Sequence, residues 1–324
     1  MKKNKIKWGI LGPGRIAGKF ALGLTHVKDA ELYAIGSRSL PRAAAFAEEW
    51  KAAKAYGSYE EMLQDEALDV VYIATPHVFH FEHTLLCLRH KKAVLCEKPF
   101  AMNRQQVEQM IATARQENVF LMEAMWTQFL PHFRFVIDLL KSGKYGRIKN
   151  LKADFGFSAP FNAKSRLFNK KLGGGSLLDI GIYPVFLALS TLGKPEKITA
   201  KANIGSTSID EDCDIIFHYP DNVKAEIGSS IIKNTPTTAV LELKEATILI
   251  HSRFHEPSTI SITSEKGIET KEFGVTSNGY NFEAEHVQEM LKKGQMESVQ
   301  MTFSKSLDLI SLLDDIRNQI ALEY

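Results

Sequence analysis

The sequence predicts a parallel, doubly wound α/β domain followed by an α+β domain with a large, mainly antiparallel open sheet. Short apolar runs alternate with stretches of helical periodicity in the first part, strand-like runs follow one another at hairpin spacing in the second, and 324 residues suffice for two hydrophobic cores. The pattern changes at Ala124, which divides the chain into residues 1–124 and 125–324.

Apolar runs at 7–11, 31–36, 69–75, 93–96 and 119–122 read as strands, and 16–24, 41–50, 79–89 and 103–117 carry apolar residues at helical spacing. Parallel strands need crossovers, so this rhythm places helices on both faces of one sheet, a Rossmann-type domain. After Ala124 come a helix at 130–141, a strand at 148–157, a polar loop and a long apolar helix within 175–192. Strand runs then follow at 198–204, 213–219, 223–232, 238–243, 247–251, 259–263 and 268–273. Lys224-Ala225-Glu226-Ile227 and Val240-Leu241-Glu242-Leu243 alternate, so one sheet face is buried and the other is polar or meets a partner. Helices at 281–293 and 304–322 close the chain.

An apolar fraction of 44%, a charged fraction of 24% and a net charge of +2 describe an ordinary globular protein, without the basic excess that nucleic-acid binding requires. The lysine-rich start, Met1-Lys2-Lys3-Asn4-Lys5-Ile6-Lys7, resembles a signal n-region, but the apolar stretch after it breaks at Gly12-Pro13, so it reads as the lead into a first strand. The window 175–192 carries Asp179 and Pro184, which suits a buried helix better than a membrane span. Cys87, Cys96 and Cys213 are odd in number, scattered and without metal spacing; they read as structural thiols in a reducing cytoplasm.

Gly12-Pro13-Gly14-Arg15-Ile16-Ala17 follows the first strand and opens the first helix. Small residues there let the backbone around Gly12, Gly14, Arg15 and Ile16 approach a pyrophosphate at the helix N-terminus. Alone, the pattern also fits a plain glycine turn; in a βαβ context it points to a dinucleotide. At the second strand's end an acidic residue would hold a ribose 2′-hydroxyl, and an arginine a 2′-phosphate. The chain has Ser37-Arg38-Ser39 there, Arg42 one helical turn on, and no carboxylate. Two guanidinium groups beside Ser37 favour NADP over NAD, against the plainer reading of solvated surface arginines.

Glu97-Lys98-Pro99 ends the fourth strand, at the edge where ligands of open α/β sheets bind, and a cis Lys98–Pro99 peptide is expected. Thr75-Pro76-His77 ends the third strand in the same way, so Thr75, Pro76, His77, Glu97 and Lys98 join the cofactor set. Far downstream, Gly173-Gly174-Gly175-Ser176-Leu177-Leu178-Asp179-Ile180-Gly181-Ile182-Tyr183 sets Asp179 and Tyr183 on one helix face, with Pro184 kinking the helix. A tyrosine beside an ammonium titrates nearer the working pH, so Tyr183 can act as base in oxidation and acid in reduction, with Lys98 as the cation and Asp179 orienting the set. Without Lys98 and the glycine loop, Asp179 and Tyr183 would read as a buried hydrogen-bonded pair.

His77, His80 and His83 spell His-x-x-His-x-x-His, but one on a loop and two on a helix do not converge, so no metal is expected and His77 and His80 read as substrate-binding. Trp126 lies where the chain passes between domains and reads as a ligand wall or an interface core residue. Phe155, Arg166 and Tyr280 are candidates for the same pocket.

Together, the Gly-x-Gly-x-x-Ala loop, Glu97-Lys98-Pro99, and the glycine triplet with Asp179 and Tyr183 resemble the glucose-fructose oxidoreductase, inositol dehydrogenase and rhizopine-catabolism (Gfo/Idh/MocA) family over essentially the whole chain. Met122-Glu123-Ala124-Met125-Trp126-Thr127, Arg38 and Arg42 resemble its branch containing dimeric dihydrodiol dehydrogenase and NADP-dependent D-xylose dehydrogenase. The resemblance implies catalytic Lys98 and Tyr183, a 2′-phosphate on Arg38 and Arg42, a site lined by His77, His80, Trp126 and Phe155, and a homodimer formed through the second domain's open sheet. Many members carry histidine in place of Tyr183 and asparagine in place of His77, so inositol-dehydrogenase chemistry is not carried over.

The expectation is an NADP-dependent dehydrogenase passing hydride between nicotinamide and the hydroxyl-bearing carbon of a small polyol ring, an aldose at its anomeric carbon first and a cyclic dihydrodiol second. Two rivals keep the fold: a dinucleotide-dependent glycosidase with no net redox change, and a non-catalytic NADP-binding sensor. A sensor has no need of Lys98, Asp179 and Tyr183 together.

Overall fold

The computed structural model describes residues 5–324; of the lysine-rich start, residues 1–4 lie outside the described residues. The first elements are β1 (Ile6–Leu11), α1 (Arg15–Leu24), β2 (Ala30–Gly36), α2 (Leu40–Trp50), β3 (Lys54–Tyr56), α3 (Tyr59–Leu63), β4 (Val70–Ile73), α4 (His80–Arg89), β5 (Ala93–Glu97), α5 (Arg104–Glu117) and β6 (Leu121–Ala124). There follow α6 (Pro131–Lys141), β7 (Ile148–Gly156), α7 (Ile182–Leu192), β8 (Lys197–Ile204), β9 (Asp210–His218), β10 (Lys224–Ser230) and β11 (Ala239–Leu243). The chain ends with β12 (Ala246–Ile250), β13 (Ile260–Ser264), β14 (Gly267–Lys271), α8 (Tyr280–Lys292) and α9 (Phe303–Gln319).

The chain forms two compact units, one running to Phe129 and adding Thr276–Leu307, the other Leu130–Val275 with Asp308–Tyr324. This differs from a single cut at Ala124, because α8 packs back on α1. The Asn278 amide donates to the Lys19 carbonyl at 2.7 Å, and a Cβ on Gly23 would stand 2.7 Å from Tyr280 Cβ.

The first unit holds a six-stranded sheet in the order β3-β2-β1-β4-β5-β6, parallel throughout. Covered on both faces, β4 and β5 are buried at every position, which is why their sequences read as unbroken apolar runs. Helix α1 buries Ala17, Phe20, Ala21 and Leu24, the i, i+3, i+4, i+7 stripe that marks an amphipathic helix. Phe20 stacks on Tyr72 with centroids 3.8 Å apart, a contact worth roughly 1 kcal/mol beyond the area it buries. Helix α5 starts where Asn103 Oδ1 accepts the Gln106 amide at 3.0 Å and ends at Asn118, whose φ of 54° turns the chain back.

The second unit holds an eight-stranded sheet ordered β14-β13-β12-β11-β7-β10-β9-β8. Its pairs are antiparallel except β7 with β10. Along β11 every second residue is buried, as the alternation predicts. The apolar stretch Lys170–Leu192 meets the length and composition of a membrane span, and 89% of its most apolar window is buried inside the protein. It is a core helix, but not a uniform one: Leu177–Gly181 is a π-turn leading into α7. The Ile182 amide reaches the Leu177 carbonyl, five residues back. Pro184 supplies the cause, since it has no N–H to offer the Ile180 carbonyl.

Candidate active site

In the first unit, β1 runs into the glycine loop and α1 begins at Arg15, with Gly14 as N-cap, no side-chain cap and no acid in the first turn. The two glycines serve different purposes. Gly12 has φ of 93°, and a Cβ on it would stand 2.7 Å from Thr75 Cγ2, so the loop packs on the end of β4. A Cβ on Gly14 would meet nothing within 4 Å: that side of the loop is open. An open approach to uncapped helix amides is the condition for seating a phosphate. Arg15 is exposed and Ile16 half-buried at the same edge.

Beside the loop lies a cavity of about 360 Å³ lined by Arg38, Gly57, Ser58, Tyr59, Glu60, Thr75, Pro76, Phe79, Glu82 and His83. Arg38 is exposed at its rim. Arg42 is committed to the loop, its Nη2 donating to the Pro13 carbonyl at 3.0 Å. Ser37 is buried and caps the turn, its Oγ accepting the Ser39 amide at 3.2 Å. The wall from Gly57 to Glu60 is the turn after β3 and the start of α3, elements too short for periodicity to mark. Its signal was present: Ser58-Tyr59-Glu60-Glu61 is a capping box, and Ser58 Oγ accepts the Glu61 amide at 3.1 Å. His83 joins this wall, its Nδ1 lying 3.0 Å from Thr75 Oγ1. Burial, then the positive charges of His80 and Arg38, push its pKa down to about 4, so it is neutral at physiological pH.

At the end of β5 a cis peptide joins Lys98 to Pro99 as expected. Glu97 turns into the core, 5% exposed. It accepts the Tyr72 hydroxyl on Oε1 and the Lys98 amide on Oε2 at 3.1 Å. His80, 1% exposed, bridges two backbone carbonyls: Nδ1 lies 2.8 Å from Pro99 O and Nε2 2.8 Å from Thr75 O. Glu97 and His80 are thus brought to the Lys98 turn as its supports, not as groups facing solvent. His77 is buried with its ring edge-on to His80. Two further acids went unread in the sequence. Burial pushes Glu123 up to about 7, against hydrogen bonds from Ser306 and the Phe100 amide, and burial with Glu97 nearby raises Glu283 well above the carboxylate range. Both are neutral in mildly acidic solution. Trp126 is 3% exposed and stacks on Tyr280 at 4.2 Å, so these two form one aromatic wall.

In the second unit the π-turn carries Asp179 and α7 carries Tyr183. Asp179 is paired with Arg166 at 3.0 Å. The glycine triplet is a packing device. A Cβ on Gly174 would strike the Leu167 carbonyl at 2.6 Å, and one on Gly175, where φ is 128°, would stand 2.1 Å from Asp210 Oδ1. Fully buried Asp210 in turn accepts the Leu177 amide at 2.6 Å and the Ser176 hydroxyl at 2.8 Å, holding the start of the turn. Tyr183 is 6% exposed, its ring against Phe155 at 5.9 Å and His255 at 4.7 Å. His255 lies outside every sequence motif.

Residues 6–125 match the GFO/IDH/MocA oxidoreductase family, NAD-binding Rossmann fold, and residues 133–251 match the GFO/IDH/MocA C-terminal domain. The chain is 37% identical over 331 residues to trans-1,2-dihydrobenzene-1,2-diol dehydrogenase of Xenopus tropicalis, covering 98% of this chain and 99% of that one. A 3-ketoreductase from Actinomadura kijaniata, solved with NADP and TDP-benzene, superposes with a TM-score of 0.89 at 25% identity and 98% coverage of both chains. An aldose-aldose oxidoreductase from Caulobacter crescentus shares the fold, with a TM-score of 0.89 at 21% identity and 98% coverage of both chains.

Proposed function

The chain belongs to the GFO/IDH/MocA oxidoreductase family, and from that premise we propose that it is an NADP-dependent dehydrogenase acting on the hydroxyl-bearing carbon of a small polyol ring, a cyclic trans-diol or an aldose. One observation carries the cofactor half: the open face of Gly14 and the uncapped start of α1 adjoin a cavity rimmed by Arg38, with no acid at the end of β2. That arrangement fits a pyrophosphate on the loop and a 2′-phosphate on Arg38, with Gly12, Gly14, Arg15, Ile16, Ser37, Thr75 and Pro76 around them and Arg42 bracing the loop. Bound NADP supplies the hydride acceptor at its nicotinamide.

The chain's own residues move the proton. Tyr183 takes it from the substrate hydroxyl during oxidation and returns it during reduction; Lys98 supplies the positive charge that favours the phenolate; Asp179, paired with Arg166, orients the hydroxyl. His77, Trp126, Phe155 and Tyr280 shape the substrate's surroundings. The 37% identity to a dihydrodiol dehydrogenase sets the cyclic trans-diol beside the aldose as first substrates to try. Three buried free thiols suit a reducing cytoplasm.

The test is NADPH absorbance on mixing the protein with NADP, or with NAD, and a panel of aldoses and cyclic trans-diols. Absorbance should grow with NADP and one substrate class, and Tyr183→Phe should lower turnover roughly 100-fold or more. A silent panel despite tight NADP binding would favour the redox-neutral glycosidase or the sensor instead, and full turnover by Tyr183→Phe would remove the centre of the mechanism.

A further inference from the structure

His255 sits in the loop between β12 and β13, 3% exposed. It stacks on Phe155 with centroids 4.1 Å apart and planes 24° apart, and its ring meets that of Tyr183 at 4.7 Å. Its Nε2 lies 3.6 Å from Glu256 Oε1. Glu256 is gripped from the other side by Arg253, whose Nε donates to Oε2 at 2.7 Å and whose Nη2 donates to Oε1 at 2.5 Å. Nothing in the proposed chemistry uses these three residues. We propose that His255 is a positioning residue for Tyr183: it packs against the phenol, and its pairing with Glu256 and Arg253 favours the phenolate. The proposal rests on the reading of Tyr183 as the acid/base group.

The electrostatics run in one direction. Burial alone would keep an imidazole neutral, and a carboxylate within about 4 Å opposes that. The Glu256 carboxyl is firmly ionised; burial works against it, but hydrogen bonds from His255 and Arg253 hold it well below the usual range. An imidazolium at His255 would put two cations on one carboxylate and leave the cluster one net positive charge beside the Tyr183 ring. Charged or titratable groups facing His255 include Arg253 and Glu256 from its own loop and Tyr183 from α7; β7 contributes the uncharged Phe155, and Phe254 lies edge-on. Arg253 also lies within electrostatic reach of Tyr183.

The test needs no substrate. Tyrosinate ultraviolet absorbance is titrated in the full chain and in its Tyr183→Phe variant, and the difference isolates Tyr183. The same difference is taken in His255→Phe, which keeps a ring in the stack, and His255→Gln, which keeps a polar neutral group. Both should move the Tyr183 titration upward by about one pH unit. Once the panel has supplied a substrate, the rising limb of the oxidation rate should move by the same amount, with KM within about twofold. A titration that stays in place in both variants overturns the proposal, even if turnover drops, because that pattern is loss of packing alone. If His255→Phe does not fold, His255→Gln decides. Full turnover by Tyr183→Phe would sink the catalytic reading, whereas an inactive Tyr183→Phe with an unmoved titration would sink only the role of His255.

Discussion

Asp210 shows what a single residue decides in this fold. It is fully buried, and burial pushes its carboxyl from an ordinary 3.8 up to about 6, opposed by hydrogen bonds from the Leu177 amide and the Ser176 hydroxyl. A carboxyl raised on folding binds its proton more tightly in the native state, so its contribution to stability is present below the unfolded value and is lost as pH rises through 6. By linkage the loss is about 2 kcal/mol between pH 4 and neutrality. Both hydrogen bonds fall on Oδ2, so an asparagine can accept them on its one carbonyl oxygen. Asp210→Asn should therefore be at least as stable as the natural chain at pH 7.5 and show a flatter stability profile down to pH 4.5 in chemical unfolding. A variant that lost stability equally at both pH values would refute this account. Nothing in the sequence says what Gly175 packs against; the answer, Asp210, lies at the start of β9.

At the scale of elements, the π-turn was hidden inside an apolar run that reads as one helix. Its cause, Pro184, stands in the sequence, where it predicts a kink. The missing N–H instead lets the chain before it widen into a π-turn, which sets how Asp179 and Tyr183 stand to each other. Pro184→Ala restores a donor for the Ile180 carbonyl and should close the turn into α-helix. Turnover should then fall about 100-fold, since small displacements of catalytic groups carry that penalty, while the melting temperature holds or rises. Unchanged turnover would mean that the π-turn does not serve the chemistry. Strand β3 and helix α3 make the opposite case: three and five residues are too short for periodicity to register, yet the capping box at Ser58 marks the helix start.

At the scale of the whole molecule, we propose that the eight-stranded sheet is the face through which two copies pair. Lys152, Glu226 and Glu242 are exposed and Val240 half-buried at alternate positions of β7, β10 and β11, so one sheet face carries mixed polar and apolar side chains. An interface there would bury roughly 1,000 Å² or more in total to be stable. The proposed homodimer should sediment at twice the chain mass, and Val240→Lys together with Glu242→Lys should yield a folded monomer. A natural chain that sediments as a monomer at micromolar concentration would end the dimer proposal.

By itself the sequence determined the two fold types, the order of almost every element, the glycine loop, the strand-end Lys98 and the helix bearing Asp179 and Tyr183. These are legible because hydrophobic period, turn residues and capping act over a few neighbouring residues, and the chain records them as spacing. Only the tertiary structure decided that Glu97 and His80 support the Lys98 turn from within, that Glu123 and Glu283 stay protonated in mildly acidic solution, that Asp210 anchors the glycine triplet, and that His255 lies on Tyr183. Each of these joins residues from remote segments, and desolvation and pairing depend on what surrounds a group in space, which no local spacing encodes.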